Sequence, residues 1–166
     1  TLALDVTQPD APKRIMEAAT MRFGGVDILI SNAGAAHQSS VELLSQKSLR
    51  ESFELNFFAH FSLAQAAYKM FRIQGIGGQV LFNVSKQAVN PGKNFGAYGL
   101  PKASLFSLVK QMALECGSDG VRVNGINADR IRSGLLDDAL IAERATARGL
   151  DEATYLAGNL LRKEVE

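Results

Sequence analysis

The sequence predicts an α/β fold: a parallel sheet of short apolar strands with helices on both faces. Three observations predict it. Short runs rich in Val, Ile and Leu alternate with longer stretches of helical periodicity. The runs are continuously apolar, as parallel strands covered on both faces are. Glycines stand where helices have to stop, at Gly24-Gly25, Gly75 and Gly117.

Taken in order, residues 2–6 (Leu2 to Val6) read as a buried strand. Pro9 to Phe23 read as a helix closed by Gly24-Gly25. Val26 to Ser31 form a second strand. Ser45 is a helix N-cap, and the helix it opens runs to about Ile73 with Gly75 as its stop. Gln79 to Ser85 are a strand and Lys86 to Phe95 a loop rich in Pro, Gly and Asn. Gly96 to Glu115 read as a helix and Val121 to Ile126 as another strand. Helical patterns recur over Leu135 to Arg148 and Asp151 to Gly158.

The chain has 166 residues, enough for one domain with a sizeable core. A formal net charge of +1 leaves no basic field to attract nucleic acid. Charged residues and Gln interrupt every apolar stretch before it could span a bilayer. The first residues show no signal-peptide pattern. The single cysteine, Cys116, has no internal partner and reads as packing. A cytoplasmic protein is expected. No Cys, His and carboxylate cluster has metal-ligand spacing.

The chemistry concentrates in Tyr98-Gly-Leu-Pro-Lys102. Tyr98 and Lys102 are four residues apart, so on a helix they share a face. A cation held beside a phenol favours the phenolate and lowers its pKa from about 10, which suits proton exchange near neutrality. Ser85, at the end of its strand, could hold a substrate oxygen opposite Tyr98. Pro101 is expected only in the first turn of a helix. Asn32-Ala33-Gly34 follows the second strand, and Asn56 lies inside a helical stretch.

In this order and spacing, these motifs resemble the short-chain dehydrogenase/reductase family over nearly the whole chain. The resemblance implies a Rossmann-like doubly wound sheet. Against that fold the chain looks cut at both ends, lacking the first two strands with their glycine-rich turn, and the last strand. It is expected to be an internal part of one such domain. The first strand would then have no neighbour, and its backbone groups would need other partners.

The resemblance also assigns roles. Tyr98 is implied as general acid and base. Lys102 is implied to lower the tyrosine pKa and to bind the nicotinamide ribose. Ser85 is implied to hydrogen-bond the substrate oxygen. Asn56 would open the helix backbone for proton relay. Asn32, Ala33 and Gly34 would line the cofactor ribose. Asp5 would accept from the adenine amino group, with Val6 giving backbone contacts. The cofactor is NAD or NADP, with NAD the first expectation. The partner is a small carbonyl or alcohol substrate. Asn124 supports the catalytic loop. His37 reads as exposed and His60 as packing or surface.

Three departures mark a subgroup: Ala128-Asp129 stand where Pro-Gly is usual, Lys86 follows Ser85 where a small residue is common, and Pro101 directly precedes Lys102. With Asn94-Phe-Gly-Ala-Tyr98, these resemble the dehydrogenase part of bifunctional rhamnulose-phosphate aldolase/dehydrogenase proteins, which implies lactaldehyde oxidation. Surplus apolar residues on the helices around 46–73 and 96–115 point to a homo-oligomer interface. Two rival readings are a non-catalytic interaction module and a nucleotide-sugar epimerase. The absent glycine turn favours the first; the Asn32-Ala33-Gly34 turn and the single short domain argue against the second.

Overall fold

A computed structural model describes residues 1–132, 136–159 and 162–164. They fall into two compact units, Thr1–Asn127 and Ala128–Glu166.

The first unit holds a three-stranded parallel sheet in the order β1-β2-β3: β1 is Ile28–Ser31, β2 is Gly78–Asn83 and β3 is Val121–Ile126. Leu29 lies opposite Val80, and Val80 opposite Val123. These side chains meet helices α1 (Ala11–Phe23), α3 (Ala59–Gln74) and α4 (Gly96–Cys116) in one core, through Met16, Ala64, Phe71, Leu105 and Met112. All three helices therefore cover the same face. On the other face Ile28 and Ile30 are exposed, so β1 alternates where continuous burial was expected. The parallel α/β architecture is as the sequence predicts, but the described helices cover one face of the sheet rather than both.

Local chemistry sets the helix ends. Ser45 caps α2 (Gln46–Phe53), its Oγ accepting from the Ser48 N–H at 3.0 Å. Gly24 and Gly75 end α1 and α3 in the left-handed conformation, at φ 85° and 71°.

Three expectations need correction. Residues 2–6 form no strand. Leu2 is half exposed, and Asp5 instead organises a turn, because no strand among the described residues offers the ladder partners a strand requires. The helix expected from Ser45 to Ile73 is broken into α2 and α3 by a π-turn, Glu54–Phe58. There the Ala59 N–H reaches the Glu54 carbonyl, five residues back, instead of four. Pro101 lies inside α4, past its first turn, and is buried in the interior.

The second unit is small. Asp137 and Asp151 cap helices α5 (Asp138–Thr146) and α6 (Glu152–Leu156), accepting from the N–H groups of Leu140 and Thr154. Leu136, Ile141, Ala145, Tyr155 and Leu156 form its core. The Arg130 and Arg148 guanidinium groups lie 5.0 and 5.3 Å from the Tyr155 ring centre. The helix expected over Leu135 to Arg148 is shorter than that, and Leu135 lies outside the described residues. No helix among the described residues is long and apolar enough to cross a membrane.

Candidate active site

The site forms where β1 and β2 end. The Asn32-Ala33-Gly34 turn leaves β1, and Ser85 follows β2 by two residues. The Asn83 amide donates to Asn32 Oδ1 at 2.7 Å, tying the two strand ends together. Ser85 Oγ accepts from the Gln87 N–H at 3.2 Å, which holds the serine at the head of a short 3-10 turn, Lys86–Ala88.

Helix α4 brings up the other half. Tyr98 is half-buried and hydrogen-bonds Ser85. Lys102 is almost wholly buried, 2% exposed, one turn further along. Its Nζ donates to the Asn83 carbonyl at 2.8 Å and lies 5.7 Å from the Tyr98 ring centre. Ser85, Tyr98 and Lys102 thus converge, although a 3-10 turn and a loop separate the serine from α4, which carries the other two.

The electrostatics differ in one respect from the simple expectation of a tyrosine lowered by its lysine. Burial pushes the Tyr98 phenol above its usual range, and the Ser85 hydrogen bond pulls against that. Burial also lowers Lys102 to about 8. At neutral pH the site therefore holds a protonated phenol beside an ammonium that gives up its proton more easily than an ordinary lysine.

Asn56 sits in the π-turn and is buried. Its amide donates to the Ala35 carbonyl at 3.0 Å and to Ser52 Oγ at 3.1 Å. Its Oδ1 has no hydrogen-bond partner among the described residues. Gly34 lies against it: a Cβ there would fall 2.9 Å from Asn56 Oδ1 and 3.8 Å from Lys102 Nζ. The π-turn thus holds Asn56 close to the Asn32-Ala33-Gly34 turn and to Lys102.

Asp5 stands apart from this cluster in local structure. Its carboxylate accepts from the Thr7 N–H, the Thr7 hydroxyl and Gln8, which hold it below its usual range. Val6 is half-buried beside it. His37 and Asn124 are exposed.

Sequence reasoning did not place two contributors in the site. Asn83 enters through two bonds, its amide donating to Asn32 Oδ1 and its carbonyl accepting from Lys102 Nζ. His60 is 2% exposed, with Nδ1 2.6 Å from Ser31 Oγ. Its sequence signal was slight: it follows Asn56 by four residues, so both face the same way.

The short chain dehydrogenase profile matches residues 1–142 of this chain. The chain belongs to that family. Among curated relatives, it is 33% identical over 150 residues to the uncharacterized oxidoreductase YuxG of Bacillus subtilis (strain 168), covering 89% of this chain and 22% of that protein. It is 31% identical over 139 residues to the 7alpha-hydroxysteroid dehydrogenase of Escherichia coli (strain K12), covering 84% of this chain and 54% of the other. A crystal structure of a short-chain type dehydrogenase/reductase from Mycobacterium marinum superposes with a TM-score of 0.81 at 28% identity, over 88% of this chain and 57% of that one. This short-chain dehydrogenase chain thus spans about half the length of two of these relatives and about a fifth of YuxG.

Proposed function

We propose that this chain carries the proton-transfer centre of an NAD(P)-dependent oxidoreductase acting on a small alcohol, aldehyde or ketone. The convergence of Ser85, Tyr98 and Lys102 beside the Asn32-Ala33-Gly34 turn carries the reading.

The residues suit a nicotinamide cofactor. Lys102 has three ammonium protons and spends one on the Asn83 carbonyl, which leaves donors for ribose hydroxyls. Gly34 lets backbone approach where a Cβ would collide. Hydride transfer is the chemistry the nicotinamide supplies when bound.

The chain's own residues handle the proton. In reduction, Tyr98 donates its phenolic proton to the carbonyl oxygen as that oxygen gains negative charge, while Ser85 donates a hydrogen bond to the same oxygen. The raised phenol pKa keeps that proton in place at neutral pH. In oxidation Tyr98 must first ionise, and the Lys102 charge favours the phenolate. Asn56 holds the helix beside Lys102, and Asp5 with Val6 would meet the adenine end.

A small hydroxyaldehyde such as lactaldehyde is the first substrate class to assay. The low share of YuxG that is covered supports a place within a longer protein. Exposed Phe58 and Phe61 on the π-turn and α3, with Leu114 on α4, support self-association through those helices; light scattering after gel filtration tests it.

The deciding experiment measures oxidation and reduction of small alcohols and aldehydes by the full-length protein with NAD(H) and NADP(H). Tyr98→Phe should cut turnover by ~10²-fold or more. Near-native turnover in that variant would remove Tyr98 from the mechanism.

A further inference from the structure

His60 is a buried polar side chain that the mechanism above does not use. Its imidazole is anchored to Ser31 Oγ, itself 4% exposed, at 2.6 Å. Ser31 is the last residue of β1 and directly precedes Asn32. The Ala33 backbone lies beside the same ring. The imidazole therefore meets the residues on either side of Asn32. Four residues earlier on the same helical face, the Asn56 amide donates to the Ala35 carbonyl.

We propose that His60 is a positioning residue for the cofactor turn, its imidazole clamping Asn32-Ala33-Gly34 from the α3 side through Ser31 while Asn56 holds the turn one step further on. Two rungs then fix the turn against the helix, and the Asn83 amide fixes it against β2. A leucine of similar bulk would fill this interior space at no polar cost, whereas a buried imidazole has to recover its lost hydration through hydrogen bonds. Ser31 supplies the bond at Nδ1, while Nε2 has no hydrogen-bond partner among the described residues. The imidazole stays neutral there, because burial and the Lys102 charge both resist its protonation.

This inference rests on reading the turn as part of a cofactor site, so its test has one arm that does not. In the full-length protein without cofactor, His60→Leu should speed amide hydrogen exchange at residues 32–35 by at least ~10-fold, the worth of one buried hydrogen bond. Exchange in α4 should be unchanged. In the second arm the cofactor KM should rise ~5- to 10-fold with kcat nearly unchanged, and His60→Gln should restore part of it. Ser31→Ala should reproduce the Leu phenotype, and the double variant should be no worse than either single. If His60→Leu does not fold, Ser31→Ala and His60→Gln carry the same comparison. Native exchange at residues 32–35 in these variants would overturn the clamp whatever reaction the protein catalyses. Loss of kcat alone, with cofactor KM unmoved, would overturn it too.

Discussion

Lys102 Nζ donates to the Asn83 carbonyl at 2.8 Å while lying 5.7 Å from the centre of the Tyr98 ring. One cation thus joins the end of β2 to the face of α4 that carries the phenol. It does so from a buried position, and burial lowers it from 10.5 to about 8. The cation that would stabilise a phenolate is itself held at a cost.

That cost has a definite pH dependence. A lysine whose folded pKa lies below its unfolded value destabilises the fold wherever it must stay protonated. The penalty is complete below about 8 and is relieved as pH rises from there to 10.5. The gap corresponds to about 3 kcal/mol. Lys102→Met removes the penalty but leaves the Asn83 carbonyl unpaired, a loss of ~1 kcal/mol. The variant should be more stable at pH 7 by ~1–2 kcal/mol, and its stability should no longer rise between pH 8 and 10.5. Urea unfolding at pH 7, 9 and 10 measures both. The same variant should move the pH optimum for alcohol oxidation upward, as Tyr98 loses its cation.

Elements whose causes are local were legible in the sequence. Ser45 and Gly75 act as the caps their types predict, because capping involves only the next few residues. The four-residue spacing of Tyr98 and Lys102 correctly placed both on one face of α4. The apolar run at Leu2 to Val6 shows a tendency to pair, but the resemblance already left it without a neighbouring strand, and among the described residues it forms none. The π-turn was hidden because helical periodicity continues through Glu54–Phe58; only the mid-helix Asn56 hinted at it. His60 read as packing or surface because its partner, Ser31, is 29 residues away.

Ser45 offers a test of the approach to Asn56. Its Oγ accepts from the Ser48 N–H and satisfies one of the unpaired donors of α2. Ser45→Ala should lower stability by ~1 kcal/mol. Ser45→Gly should recover most of that loss, since glycine tolerates the cap position. Thermal unfolding of the two variants distinguishes a cap from an incidental surface serine, for which both would match the parent.

His60 makes the fold sensitive to acid. Burial, with the Lys102 charge second, lowers it from 6.5 to about 4, against a smaller opposing effect of the Ala33 backbone. The unfolded chain therefore takes up a proton as pH falls through 6.5, while the folded chain resists until about 4. Stability fully present above 6.5 should fall by up to about 3 kcal/mol across that window. His60→Gln cannot titrate, so its stability should be flatter from pH 6.5 to 4. Denaturant midpoints at pH 7, 5.5 and 4.5 provide the check; parallel curves for parent and variant would show that another group causes the acid loss.

Gly34 is closely packed against Asn56. A Cβ there would lie 2.9 Å from Asn56 Oδ1, closer than side chains tolerate, and the Asn56 amide is already held by Ala35 and Ser52. Asn56 could yield only by breaking those bonds or by distorting the π-turn. Gly34→Ala should therefore cost ~1–3 kcal/mol of stability, the usual range for overpacking. Lys102 Nζ, 3.8 Å from the same Cβ position, would be crowded as well. Turnover should fall with stability, since Lys102 and the Asn32-Ala33-Gly34 turn share that space. Asn56→Ala opens room for the new methyl, so the double variant should lose less than the two single losses added together. Additive losses in stability would mean that the added methyl and the Asn56 amide never compete for one position.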